Sequence, residues 1–204
     1  MSRHGVELAD GCFLDVSDPD HTMLSLTNIA QPLSREPRFN TSAHHQYSVA
    51  EHAVLVASKL RRMSAPLSLQ FAGLHHDDAE FLLKDIPAPI KPLFGEAYTT
   101  LTEVLDRTIH RALGWPNASL PPFWHLDDIH DPLVEAVDSW AAELEATVLT
   151  TSGKCNAKEV SGAVPIVTEA EDVIRFLPPE AALEAFMGFH ALLVGEHRSV
   201  FGDG

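Results

Sequence analysis

Residues 71–92 read FAGLHHDDAEFLLKDIPAPIKP, and the two halves of that string obey different rules. The first half is apolar at helical spacing, with a histidine–aspartate pair, His76–Asp77, set inside it. The second half carries Pro87, Pro89 and Pro92, which cannot sustain a helix because each lacks the N–H and crowds the preceding turn. The string therefore predicts a helix that begins near Pro66, runs through FAGLHHDDAEFLL and is stopped by Asp85–Pro92.

Upstream, YSVAEHAVLVASKL (47–60) predicts another helix, with Ser48 as its cap and Glu51 completing a capping box. Val49, Ala53, Val56, Ala57 and Leu60 fall on one face. Downstream, EAYTTLTEVLDRTIHRAL (96–113) is helical and ends at Gly114 and Pro116. Asp131 and Pro132 start a further helix with Val137, Ala141, Leu144 and Val148 as its apolar stripe. A final helix covers roughly 180–194, after a loop at 151–167. Residues 1–40 read as an irregular collar of loops and short helix, punctuated by Gly11, Asp18–Pro19–Asp20, Pro32 and Pro37. Strand-like alternation is scarce, so an all-α bundle is expected: one domain over 1–204, with a helical core at 41–150 and a carboxy-terminal loop and helix at 151–204.

The 204 residues are 45% apolar, enough for one sizeable core and too few for two comfortable domains. With 29 acidic against 14 basic residues, the formal charge of −15 repels polyanions. Nucleic-acid polymers and anionic membranes are therefore unsuitable partners. No apolar run approaches the roughly 18 residues of a membrane span, and the amino-terminal segment lacks a signal-peptide core, so a cytoplasmic location is expected. Two isolated cysteines, Cys12 and Cys155, give neither a disulfide framework nor a thiolate zinc site. Metal chemistry would have to use histidine and carboxylate, and the chain has 12 histidines.

Three predicted helices carry such groups inside apolar stretches: Glu51–His52, His76–Asp77 and Asp138. A single histidine on an apolar face is usually a hydrogen-bonded core residue. Several imidazoles and carboxylates so placed are costly to bury unless paired or metal-bound. Mixed donors of this kind suit Mn, Fe, Co, Ni or Zn, with Mg less well matched to imidazole.

In order along the chain, LADGCFLDVSDPD (8–20), LTNIAQPLSREPRF (26–39), YSVAEHAVLVA, HDDAEFLLKDIPAPIK (76–91) and the helical Asp138 resemble the HD-domain metal-dependent phosphohydrolases. Within them, the series is similar to the subgroup of bacterial 5′-deoxynucleotidases and phage dATP triphosphohydrolases. The likeness covers roughly residues 8–150 and implies an HD-domain helical bundle. It implies His52, His76, Asp77 and Asp138 as ligands of a divalent metal ion, which would lower the pKa of bound water from 15.7 toward about 7. The implied activity is hydrolysis of a nucleotide phosphate ester, with a deoxynucleoside 5′-monophosphate as substrate and a homo-oligomeric assembly. A triphosphate-releasing hydrolase, a stepwise phosphatase of nucleotide analogues and a non-catalytic nucleotide-sensing module are the alternatives.

The same resemblance implies Glu80 and Asp85 in acid–base work, with an exposed helix carboxylate and a helix-ending cap as their ordinary readings. Lys84 stands where relatives carry glycine. Arg35 and Arg38 are the substrate-phosphate candidates, since a guanidinium fork fits phosphate oxygens. Lys91 would add positive potential, and His44 or His45 would touch phosphate or extend the metal site. Glu145, two turns after Asp138, resembles a recurring glutamate beside the metal site. His75 is expected to face elsewhere, Asp78 has no assigned part, and Trp115, Trp124 and Trp140 read as core or interface aromatics. His110, His125 and His130 read as surface residues.

Overall fold

The computed structural model describes residues 4–113, 125–153 and 174–201. The expected stop at Gly114 and Pro116, Trp115, Trp124, Cys155 and most of the 151–167 loop lie outside the described residues. In chain order the elements are β1 (Gly5–Glu7), β2 (Phe13–Asp15), α1 (Leu26–Leu33), α2 (Val49–Arg62), α3 (Leu67–His75), α4 (Glu80–Leu83), α5 (Glu96–Leu113), α6 (Pro132–Leu149) and α7 (Pro179–Phe201). Short 3₁₀ turns join several of them.

The chain is mostly helical, and its beginnings follow the capping chemistry. Ser48 Oγ accepts from the Glu51 N–H at 3.3 Å while Glu51 Oε2 accepts from the Ser48 N–H at 2.9 Å, so α2 starts where the capping box requires. Asp131 Oδ1 accepts from the Leu133 N–H at 2.8 Å and Pro132 occupies the first turn of α6. The central helix is α2, buried along Val49, Ala53, Val56 and Leu60, with α3, α6 and α7 packed around it. Gly73 sets the α2–α3 spacing: a Cβ there would stand 2.3 Å from Leu60 Cδ1. Phe71, Leu74, Val137, Ala141, Phe186 and Leu193 complete the core, whereas Val148 is exposed near the end of α6.

Two expectations are corrected. Residues 1–40 are not simply irregular: β1 and β2 form an antiparallel hairpin pairing Gly5 with Asp15 and Val6 with Leu14. Gly11 makes its turn at φ +84°, and Asp10 and Asn28 exchange two hydrogen bonds, at 2.9 and 3.2 Å, that tie the hairpin to α1. Strands of three residues are too short to display a two-residue period. Secondly, the helix expected to run through residue 83 breaks at His76–Ala79 and resumes only as α4. The Gly73 carbonyl is engaged by His76 Nδ1 at 2.9 Å, and the following N–H groups bond at i→i−3 spacing, Asp78 to His75 and Glu80 to Asp77.

Among the described residues, no helix is long and apolar enough to cross a membrane.

Candidate metal centre and its cavity

Each member of the centre arrives from a different element. His52 lies at the end of the first turn of α2, His76 caps the end of α3, Asp77 follows it in the broken turn, and Asp138 sits on α6. In an unbroken helix, adjacent side chains diverge by about 100°. Here the break after His75 lets neighbouring residues converge: His76 Nε2 is 3.3 Å from Asp77 Oδ2. His52 Nε2 lies 3.3 Å from His76 Nε2, 3.0 Å from Asp138 Oδ1 and 3.7 Å from Asp77 Oδ2. His76 Nε2 lies 3.6 Å from Asp138 Oδ1.

The outer nitrogens of both rings are already occupied. His52 Nδ1 donates to Glu145 Oε1 at 2.7 Å, and His76 Nδ1 donates to the Gly73 carbonyl, which can only accept. In the neutral rings each Nε2 therefore presents a lone pair to the shared point, the arrangement used by imidazole ligands. Two lone pairs and carboxylate oxygens facing one point repel unless a positive charge sits among them. His52, His76 and Asp138 form a set that can hold a metal ion. The same charge balance governs their protonation. Burial alone would lower the His76 pKa, but Asp77 and Asp138 hold it well above the imidazole value. Burial would raise Asp138, and hydrogen bonds from His52 and His76 hold it well below the carboxylate range.

Arg38 reaches this centre because residues 36–38 pair with the segment leading into α2: the Arg38 N–H donates to the Tyr47 carbonyl at 2.9 Å and the Val49 N–H to the Glu36 carbonyl at 3.0 Å. Its Nε donates to Glu145 Oε2 at 3.1 Å and Nη1 to Asp77 Oδ2 at 3.4 Å. Glu145, fully buried, thus grips a histidine with one oxygen and an arginine with the other. Burial favours its neutral form, but His52 and Arg38 keep its pKa below the ordinary value.

Beside the centre lies a cavity of about 540 Å³, a volume suited to a small molecule. Among the described residues, its acidic lining is Asp77, Glu80, Asp85, Asp106, Glu135 and Asp138, against Arg38 and Lys91 as permanent cations. Lys91 Nζ donates to Glu80 Oε1 at 3.2 Å, while Glu80 Oε2 is buried with no hydrogen-bond partner among the described residues. Burial, then the charge of Asp77, pushes Glu80 up to about 8. Burial also raises Asp85, and with Asp78 and Asp77 it pushes Asp106 up to about 7.

Of the substrate candidates, Arg38 and Lys91 line the cavity; Arg35 and His45 do not. Arg35 is exposed in a separate shallow groove with Glu7, Gln31, Glu36 and Lys84, because the two residues between it and Arg38 turn the chain from α1 to the α2 side. His45 is exposed and its ring packs against Phe176 with centroids 4.5 Å apart. Glu51 serves the α2 cap and accepts from the Leu177 N–H at 2.8 Å. Lys84 takes the glycine-like backbone its position demands, φ +72° and ψ 159°, and its ammonium turns to Glu36 at 2.9 Å instead of toward the cavity.

Sequence reading missed three further features. His130 is exposed as expected and also borders the cavity. Tyr98, Thr102 and Asp106 also line it, four residues apart on α5; that spacing was visible, but alone it is the signature of any solvated helix face. His75 Nδ1 lies 2.6 Å from Asp78 Oδ2 and His75 Nε2 lies 3.0 Å from His190 Nδ1, a buried chain that ties the ligand-bearing turn to α7. Nothing local in the sequence links residue 75 with residue 190. Trp140 is buried beneath the Lys59 ammonium, 4.5 Å from the ring centroid, as a core aromatic.

No family model matches the chain. It is 29% identical to an uncharacterized protein of Rhodobacter capsulatus over 206 aligned positions, covering 99% of this chain and 100% of that one. It is 35% identical to the uncharacterized protein YfdR of Escherichia coli over 102 positions, covering 50% of this chain and 54% of YfdR. Neither relative's name carries an activity, so the chemistry of the site has to supply the functional reading.

Proposed function

We propose that this chain is a metal-dependent phosphohydrolase of the HD-domain type that cleaves the phosphate ester of a deoxynucleoside 5′-monophosphate. The observation that carries the reading is the convergence of His52, His76, Asp77 and Asp138 beside a cavity whose lining includes Arg38, Glu80 and Lys91. These four residues would hold a divalent ion, Mn, Fe, Co, Ni or Zn before Mg. Such an ion supplies Lewis-acid charge for phosphoryl oxygens and acidifies water.

The remaining roles belong to the chain. Glu145 and Gly73 fix the two imidazoles with their Nε2 atoms toward the cavity wall. Arg38, already oriented by Glu145, offers the rest of its guanidinium fork to the phosphate. Glu80, kept protonated at neutral pH by burial, donates its proton to the leaving 5′-oxygen as the P–O bond breaks and water supplies the new oxygen on phosphorus. Asp85 lies on the same wall and assists that transfer.

Charge favours a monophosphate over a triphosphate. With Glu80 protonated, the described lining still sets Asp77, Asp85, Glu135 and Asp138 against Arg38 and Lys91, and even with one divalent ion it neutralises a single phosphate far better than three linked ones. The reading includes a cytoplasmic homo-oligomer, a state measurable by light scattering.

The test is a nucleotide panel assayed with Mn, Co, Ni, Zn and Mg, with products resolved by chromatography. Inorganic phosphate and deoxyadenosine from dAMP support the reading. Intact triphosphate from dATP would move it to triphosphate hydrolysis, and tight binding without turnover of any nucleotide would make the chain a sensor.

A further inference from the structure

The turn that carries His76 and Asp77 is also gripped by polar groups that take no part in the metal centre: His75, Asp78 and His190. None of the three lines the cavity. The backbone of the turn is loosely tied, since the Asp78 N–H reaches the His75 carbonyl only at 3.3 Å, beyond the usual range for such bonds. A side-chain bond reinforces the same span, with His75 Nδ1 2.6 Å from Asp78 Oδ2. Asp78 Oδ1 is buried with no hydrogen-bond partner among the described residues, so the carboxyl depends on His75.

That bond requires one orientation of the His75 ring. Phe71 and Phe186, both fully buried, pack on it at centroid distances of 4.4 and 5.4 Å and fix its plane. Packing does not fix which way the ring is turned, because a flip of about 180° exchanges nitrogens for carbons with little change of shape. Hydrogen bonds at both ends make that choice. The second comes from α7, where His190 Nδ1 lies 3.0 Å from His75 Nε2 across 115 positions of sequence. The two rings meet at 89°, and Phe71 also packs on His190 at 5.2 Å.

We infer that His190 is a positioning residue for the metal centre: by bonding His75 it holds Asp78, and with Asp78 the turn from which His76 and Asp77 reach their shared point. This rests on the metal-binding part of the proposed function and adds to it a support from the carboxy-terminal helix. Losing the His190 bond frees the His75 ring to turn, which strands the buried Asp78 carboxyl and loosens two ligands at once.

The experiment separates the hydrogen bond from the packing. His190→Phe keeps an aromatic ring against Phe71 and loses the nitrogen, whereas His190→Asn keeps a donor and an acceptor near the place of Nδ1 and loses most of the ring. Arg61→Ala is the control, since it removes a different tie between α2 and α7, the Arg61–Glu196 pair at 2.6 and 2.9 Å. Calorimetry with Mn and Co, the visible spectrum of the Co(II) form and Tm are measured on each. His190→Phe should bind metal about 3- to 10-fold more weakly, the worth of one net hydrogen bond, and shift the Co(II) spectrum. His190→Asn should stay within about twofold of wild type and keep its spectrum, although its Tm falls below that of His190→Phe. Affinity and Tm thus rank the two variants in opposite orders. Arg61→Ala should change neither affinity nor spectrum. A His190→Phe variant that binds metal like wild type, or affinities that follow Tm across the three variants, would overturn the positioning role while leaving the metal centre and the nucleotidase reading in place. A wild type that takes up neither Mn nor Co would overturn the metal centre and this inference with it.

Discussion

Glu145 Oε1 stands 2.7 Å from His52 Nδ1, with both side chains fully buried and the two residues 93 positions apart in the chain. That bond orients the ring, sets its tautomer and, through the second carboxylate oxygen, couples it to Arg38.

Removing the carboxylate should therefore weaken the metal centre without touching a ligand. Glu145→Gln should lower metal affinity by about 10- to 100-fold, the usual cost of losing such a partner. Glu145→Ala should lose more, since it also removes the acceptor that Arg38 Nε holds at 3.1 Å. Calorimetric titration with Mn and Co measures both; unchanged affinity in either variant would refute the role.

Glu80 is assigned to proton transfer, not to metal binding. Glu80→Gln should keep its metal stoichiometry while kcat falls by roughly 10²- to 10⁴-fold. Loss of metal in parallel with activity would place Glu80 among the ligands instead.

The two arginines near the amino-terminal side of α2 should separate cleanly. Arg38→Ala should raise KM for the nucleotide by tenfold or more, since it removes the guanidinium fork from the cavity. Arg35→Ala should leave kcat/KM within about twofold, like most exposed substitutions away from a site.

Stability should depend on pH in a direction set by the cavity. Glu80 and Asp106 are raised to about 8 and about 7, and His76 is raised well above its ordinary value. Each binds a proton more tightly folded than unfolded. The stabilisation is complete below the unfolded pKa and is lost as pH rises through the folded one. Asp138 and Glu145 are lowered, and their contribution is lost only on acidification below the normal carboxylate range. The metal-free protein should thus show a falling Tm between pH 6 and pH 9. Saturating metal should flatten or reverse that fall, because the ion replaces protons on the imidazoles. Differential scanning calorimetry with and without chelator reads the two slopes.

Lys84 holds a backbone conformation that suits glycine alone. Lys84→Gly should relieve on the order of 1 kcal/mol of strain, offset in part by loss of the exposed pair with Glu36, for a net Tm rise of a few degrees. A fall in Tm would mean that the ion pair outweighs the strain.

The helical frame was legible because it is written in local chemistry. Ser48 with Glu51, and Asp131 with Pro132, are complete start signals within four residues, and the helices they begin start where those signals place them. The hairpin was not legible, since three-residue strands have no room for a period and their turn is closed by Asn28, far along the chain. The break at His76 depends on a ring nitrogen reaching the Gly73 carbonyl, a rotamer choice that helical periodicity does not encode. The spacing of Glu145 from Asp138 placed it two turns along the same helix. That its carboxylate bridges His52 and Arg38 was visible only once α2 and α6 were packed together.

By itself, then, the amino-acid order determined most of the helical segments, where α2 and α6 begin, and which imidazoles and carboxylates sit inside apolar stretches, because these depend on neighbours within a few positions. Tertiary structure alone decided that Arg38 and not Arg35 reaches the cavity, that His45 lies away from it, and that Asp106 faces it from α5. Those outcomes turn on the direction of a side chain after distant segments pack, and no local pattern in the chain specifies that direction.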